Sequence, residues 1–507
     1  MADKQEDAQA LKLAKSLKNA ENWKHLARPT DAGYYELRTE DTRDVPVRLF
    51  FTKQLLDATE DNLYRQIVNA TRFPGVRLVV ITPDAHYGYG VPVGCVILTD
   101  AESGAVAMGP VGYDVGCGMM SAQSDVEAEA ATPERRLQFN RAVMERVDMG
   151  AGGKGKRLGG FSEGEFQNLV RGGAEYYVER YGATFDRSRA ERHRIPVDDG
   201  WQIPYGGKGR PERGRDQLGS LGGGNHFIEL QRSEQAGTLF VQVHTGSRGF
   251  GHGLATNYFE LAREERPDAI TDIDLGYFTP DSRHYGDYLN AVAAGGNYAI
   301  LNRLIIFEQV SAAFREVFGS ELELIYEISH NLVQREQHPE FGDVWVHRKG
   351  ATRAFPAGHP ALTGTMWEET GHPVLIPGSN KDWSYILRPL AAAVNSGYSV
   401  NHGAGRRLSR GAANRELSQR AIDDEYREAG IVVNTDGRVP LDEAAPAYKS
   451  SQEVIDAVTG AGLARIEHAL YPLASLKGVD ERKGKKRFKG GKGGGRMWKG
   501  KKTSEHY

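Results

Sequence analysis

The chain has 507 residues, 39% hydrophobic and 26% charged, with a net charge of −3, which excludes a disordered polymer and fits a globular protein. No apolar run, Leu78-Val79-Val80-Ile81 included, nears the roughly 18 residues of a membrane helix. Two cysteines, Cys95 and Cys117, are too few for a disulfide framework in a protein this long, so a reducing, cytoplasmic setting is expected.

Residues 1–44 read as an N-terminal helical extension, with Ala10, Leu13, Ala14 and Leu17 at the spacing of one helical face. The core is expected to begin at Val45, with a strand through Phe51 that Pro46 places at a sheet edge, followed by a helix over 61–70. Two β-branched runs, 76–82 and 91–98, flank the turn Tyr87-Gly88-Tyr89-Gly90 and predict paired strands, with Cys95 a small core residue. Thr132 as N-cap, Pro133 at the first helical position and Glu134 in the first turn predict a helix that carries Leu137, Val143 and Val147 inward.

Residues 149–214, rich in Gly, Arg and Lys, predict surface excursions around one helix over 163–181. A strand over 238–245 follows, then a charged segment expected to be exposed, then a long helix over 285–318 closed by Gly319. Further strands are expected over 322–328, 344–347 and 373–376. With no internal repeat, the reading is a single large α+β catalytic domain over 45–478, with mixed β-sheets and surrounding helices. From Gly478 to the end there are 11 Lys/Arg against 3 Asp/Glu, so 479–507 read as a flexible basic tail, either holding nucleic acid or simply solvated.

Chemistry concentrates on polar residues among glycines. Asp114 and Cys117 stand three apart on a glycine-bordered turn, where carboxylate and thiolate can meet one ion, although a tight turn with a buried thiol fits equally. His226, His244 and His330 each fall at an expected strand end. Any one of these alone is an ordinary structural histidine, but together with Asp114 and Cys117 they supply ligands for two metals if one ligand is shared. Their spread over more than 200 residues fits no zinc-finger spacing.

Pro377-Gly378-Ser379-Asn380-Lys381-Asp382-Trp383-Ser384 offers hydroxyls, amides and a lysine, and Arg348-Lys349-Gly350-Ala351-Thr352-Arg353 with Arg406 adds basic groups to surround phosphates; ordinary surface loops are the alternative. His402-Gly403-Ala404-Gly405-Arg406 leaves an imidazole uncrowded beside open backbone N–H groups, as a phosphate site or nucleophile requires, or as a turn before a helix near Arg406 would. No Gly-Lys is followed by Ser or Thr, which excludes an ordinary P-loop.

In order, Asp114 to Met119, Gly224 to Glu229, His244 to Gly249, His330-Asn331, Pro377-Gly378-Ser379 and His402 to Arg406 resemble the motifs of the RtcB family of RNA ligases, over about 45–478. The resemblance implies a GTP- and Mn²⁺-dependent ligase that joins RNA 3′-phosphate or 2′,3′-cyclic phosphate ends to 5′-hydroxyl ends through a guanylylated histidine. It implies His402 as nucleophile, and Asp114, Cys117, His226, His244 and His330 as ligands of two Mn²⁺ ions with Cys117 shared. For GTP it implies Asn225, His226, Phe227, Ile228, Glu229, His330, Asn331, Pro377, Gly378, Ser379, Asn380, Ser384, His402, Gly403, Ala404, Gly405 and Lys477, with Glu229 and Lys477 on the base edge. Tyr448 packs either on the same nucleotide or in the core. Asn380 to Trp383 depart from the family's usual Met-Gly after Pro-Gly-Ser. An archease-like activator is a further implied partner. The competing readings are a metal-dependent RNA-end phosphoesterase, which has no need of His402, and a non-catalytic RNA-binding protein.

Overall fold

A computed structural model describes residues 17–155, 160–182, 186–190 and 194–478. The helical face expected around Ala10, Leu13 and Ala14 and the basic tail 479–507 lie outside the described residues.

Among the described residues two large sheets carry the architecture. One runs Arg28–Pro29, Tyr35–Leu37, Val47–Leu49, Val76–His86, Val93–Asp100, Gly342–Lys349 and Asn331–His338 in spatial order. The other runs Glu323–Ser329, Gly118–Glu127, Thr238–Thr245, Phe227–Ser233, Ala464–Lys477, Ser384–Pro389 and Val374–Ile376, with Val432–Val433 paired beside Ala464–Lys477. Period-2 alternation sorts their side chains. In Val76–His86 and Val93–Asp100, Leu78, Val80, Val96 and Leu98 join an apolar layer with Met119, Phe240, Ile328 and Ile386 of the second sheet. Val79, Ile81, Cys95 and Ile97 face the other way, toward the helices Lys53–Ala58 and Leu63–Ala70. Met120, Ala122 and Val243 point out of the second sheet onto Pro133–Arg146 and Tyr285–Phe318. The result is four layers, helices outside and two sheets inside, an α+β fold.

Several expected elements are found where the sequence places them, including Glu163–Tyr181, Thr238–Thr245 and Tyr285–Phe318, whose last turn is closed by Gly319 at φ 76°. Three expectations are corrected. Val47–Leu49 is interior, paired with Tyr35–Leu37 on one side and Val76–His86 on the other, because Pro46 sits just before the strand and leaves its ladder intact. The sheet thus reaches upstream of Val45, and Trp23 and Leu37 are buried in its outer layer. The charged stretch after Thr245 is a helix, Arg248–Glu265, with Phe250, Leu254 and Phe259 buried. Its glycines permit close packing: a Cβ on Gly253 would come within 2.6 Å of Pro211 Cα. Finally, Arg406 begins no helix; the next one, Arg410–Glu416, is capped by Ser409.

Candidate active site

Strand ends from both sheets meet at one rim, and the polar residues singled out by sequence gather there. Cys117 immediately precedes Gly118–Glu127, and its Sγ lies 3.6 Å from His226 Nε2 and 3.3 Å from His244 Nε2. His226 Nε2 is 3.0 Å from Asp114 Oδ2, and His244 Nε2 is 3.3 Å from His330 Nε2. Two trios result, Cys117/His244/His330 and Asp114/Cys117/His226, each with its donor atoms within 4.8 Å of one another and with the thiol common to both.

Tautomers follow from the other ring nitrogens. His226 Nδ1 lies 3.0 Å from the Leu221 carbonyl and His244 Nδ1 lies 3.2 Å from the Asn225 carbonyl. A carbonyl only accepts, so each ring donates from Nδ1; His244 Nε2 then faces the thiol, and His226 Nε2 faces both the thiol and the Asp114 carboxylate. Burial holds His244 and His330 well below the ordinary histidine pKa, and burial together with Asp114 raises the Cys117 thiol well above its own. His330 Nδ1 is buried without a hydrogen-bond partner. Burial opposes ionisation of Asp114, yet His226 and Arg248 outweigh it and bring its pKa to about 2. Imidazole nitrogens, a carboxylate and a thiol are the donor chemistry a divalent transition metal takes, the ligands giving up their protons on binding. The residues fit a metal pair.

Beneath them lies Arg303, fully buried on the long helix and paired with Glu327. Its guanidinium donates to Gly116 O at 2.7 Å, Thr245 O at 2.9 Å and Ser329 Oγ at 2.8 Å. One side chain therefore fixes the residues next to Cys117, His244 and His330 at once. Asn331 adds a second tie, donating to Asp114 O at 3.2 Å and accepting from Gly350 N at 2.7 Å.

His402 follows the short strand Ser399–Asn401, and its ring centroid is 4.9 Å from that of His330. Its Nδ1 lies 2.7 Å from Asp84 Oδ2, the oxygen that also accepts from the backbone N–H groups of His402 at 3.1 Å and Gly403 at 3.2 Å. Thr82 donates to the other oxygen at 2.6 Å. Burial alone would raise the Asp84 carboxyl, but His402, Thr82 and Lys449 outweigh it and hold its pKa below the ordinary value. An ionised carboxylate only accepts, so the neutral ring keeps its proton on Nδ1 and presents a lone pair at Nε2. Gly405, at φ 76°, is required here: a Cβ would stand 2.0 Å from Asp84 O.

The remaining residues singled out by sequence surround this pair. Antiparallel pairing sets Phe227 opposite Lys477 and Glu229 opposite Ser475, so Glu229 and Lys477 become neighbours across two strands. Glu229 is buried and accepts from Ser475 Oγ at 3.1 Å and Gln231 Nε2 at 2.9 Å. Lys477 Nζ lies 5.2 Å from the Phe227 ring centroid and 3.5 Å from Glu443 Oε2. Pro377 approaches Gly403, and Gly378 N donates to Ser384 Oγ at 3.0 Å. Ser379 Oγ accepts from Asp382 N at 3.2 Å, and Asn380 bonds to the Tyr426 hydroxyl. Ala404 is buried. Ile228 turns its side chain to the opposite face, into the layer of Leu230, Val243 and Leu476, so only its backbone faces this region.

Residues 66–478 match the family model for the tRNA-splicing ligase RtcB. The chain belongs to the RtcB family. It is 35% identical over 469 residues to the tRNA-splicing ligase RtcB of Pyrobaculum aerophilum, covering 86% of this chain and 95% of that one. It is 37% identical over 442 residues to the RNA-splicing ligase RtcB of Mycobacterium bovis, covering 82% of this chain and all of the relative. The Thermococcus kodakarensis tRNA-splicing ligase RtcB is 34% identical, with 86% and 95% covered. An RNA ligase family thus accounts for the chain.

In this RtcB chain the basic run 348–353 does not form the phosphate-facing loop expected of it. Arg348 is buried and paired with Glu336, and Lys349 Nζ donates to the carbonyls of Tyr89 at 2.6 Å and Val91 at 3.1 Å. Arg406 is likewise engaged, donating to Tyr448 OH at 3.0 Å and to Glu443 at 3.4 Å. Lys381 pairs with Glu425. Sequence reasoning missed Asp84 and Glu443. The signal for Asp84 was a carboxylate three residues after the apolar run 78–81, where burial is costly unless a partner waits for it.

Proposed function

We propose that this chain is a GTP- and Mn²⁺-dependent RNA ligase that joins 3′-phosphate or 2′,3′-cyclic phosphate ends to 5′-hydroxyl ends. The observation that carries the reading is the His402–Asp84 pair, set against two metal-binding trios that share Cys117. A phosphoesterase working through metal-bound water has no use for such a ring.

On this reading His402 Nε2 attacks the α-phosphorus of GTP, forming a nitrogen–phosphorus bond as the bond to pyrophosphate breaks. Asp84 keeps the Nδ1 proton in place and offsets the positive charge that the ring acquires. A cyclic phosphate end is first opened by water to the 3′-phosphate. An oxygen of the RNA 3′-phosphate then takes GMP from His402, and the 5′-hydroxyl attacks the activated phosphorus, forming the phosphodiester as GMP leaves. Glu229 and Lys477 hold the guanine edge, while the Gly403 N–H is taken by Asp84, so the turn after His402 serves to place its ring. Two Mn²⁺ ions held by Asp114, Cys117, His226, His244 and His330 would supply charge neutralisation for the triphosphate.

Labelled GTP with Mn²⁺ tests this. Acid-labile label mapped to His402 is expected, and metal-loaded, folded protein that takes no label would sink the reading.

A further inference from the structure

We infer that the turn Tyr87-Gly88-Tyr89-Gly90 is a stacking platform for a terminal nucleobase of the RNA substrate, an inference that rests on the ligase reading for the identity of the ligand. Tyr87 is 45% and Tyr89 38% exposed, and both sit on this one turn, while the other large exposed hydrophobics among the described residues are scattered singly. Isolated exposed aromatics need no explanation, but a pair on one turn beside a reactive centre does.

The turn's position links the two halves of the site. Upstream, His86 Nδ1 lies 3.2 Å from the carbonyl of Asp84, the residue that orients His402. Downstream, the Tyr89 ring stands edge-on to Tyr113 at 5.9 Å, and Tyr113 directly precedes Asp114 of the metal-binding trio. Tyr113 is itself clamped, stacked on His252 at 5.2 Å with its hydroxyl donating to Asp274 at 3.0 Å. The turn therefore stands between the residue that orients His402 and the residue that precedes Asp114, and an RNA end held at the site lies beside it.

The backbone of the turn is held far more firmly than exposure of its side chains would require. Gln66 exchanges two hydrogen bonds with Gly88, and Asn69 donates to Gly90 O at 2.8 Å. Lys349 reaches from the neighbouring strand to the carbonyls of Tyr89 and Val91. Gly90 is at φ 66°, and a Cβ there would stand 2.6 Å from Asp274 O. Buried donors thus fix a turn that shows its aromatic rings to solvent, and a preorganised ring loses little entropy when a base lies on it. Stacking also accepts any base, as a ligase acting on varied ends needs.

The test uses two RNA strands, one ending in a 3′-phosphate and one beginning with a 5′-hydroxyl. Each carries a fluorescent purine analogue at its terminal nucleotide and is titrated into the full-length, Mn²⁺-loaded protein. Tyr87→Ala and Tyr89→Ala are expected to relieve the fluorescence quench and weaken binding of one strand roughly 5- to 100-fold, and the strand affected names the end that stacks. Tyr87→Phe and Tyr89→Phe should keep the quench, since the ring does the stacking, and all four variants should still take label from GTP. Alanine variants that bind both strands within twofold of wild type with the quench intact would overturn the platform, as would phenylalanine variants that fall as far as alanine. Wild-type protein that takes no label from GTP instead overturns the ligase reading, and the RNA titrations still decide whether the rings hold a base.

Discussion

At the scale of single residues, the chemistry reduces to which nitrogen of each ring carries its proton. Asp84→Asn leaves the shape of the pair but can donate to Nδ1, inverting the tautomer, and guanylylation should fall roughly 10²- to 10⁴-fold with metal content unchanged, as read by labelling and metal analysis. His402→Ala should abolish labelling and keep both metals, whereas Cys117→Ala, which removes the donor common to both trios, should lose metal. Equal metal in the two variants would refute the shared role. Glu229 gives a pH signature: burial raises its pKa to about 7 against the pull of Lys477. Only the ionised carboxylate can accept both N–H donors of a guanine edge, so GTP binding should tighten as pH rises from about 6 to about 8 and level off above. Glu229→Gln should flatten that profile in a calorimetric titration. His402, Cys117, His226 and His244 were legible because glycines stand beside or near them, and His330 because it ends a predicted strand. Asp84 was not, because its partner lies 318 residues away and only pairing of distant segments reveals it.

At the scale of elements, strands and long helices were legible from periodicity, while Arg248–Glu265 was not. Its early glycines lower helix propensity, and the reason for them, close contact with Pro211 and its neighbours, exists only in the folded chain. The basic run 348–353 misled for a related reason: charge in a sequence does not say whether the partner is a ligand or a buried carboxylate such as Glu336. The long helix carries its own prediction. Arg303→Met would strand Glu327 in the interior and cost about 3–5 kcal/mol in denaturant unfolding. Arg303→Met with Glu327→Met should recover most of that stability. It should not recover Mn²⁺ affinity, because the carbonyls of Gly116 and Thr245 that flank the ligands still lack their donor.

At the scale of the whole molecule, the fold brings two sheets to one rim, and the charge of the chain is divided unevenly around it. Residues 1–477 carry −11 against +8 beyond them, so on the ligase reading an RNA substrate is attracted by the tail sequence and repelled by the net charge of the rest. Deleting 479–507 should lower RNA affinity and reduce the salt slope by about 0.7 for each single-strand phosphate that the tail neutralises, with guanylylation of His402 intact. Loss of labelling on deletion would place the tail inside the active site. The two sheets are joined most tightly at His330, the single residue between Glu323–Ser329 in one and Asn331–His338 in the other. That junction has no slack. Surface loops can lengthen at little cost, but one residue inserted between Ser329 and Asn331 would either carry the His330 ring away from Cys117 or reverse the inward and outward faces of the strand that follows. Chain length at this point is therefore as strict a requirement as the identity of any ligand.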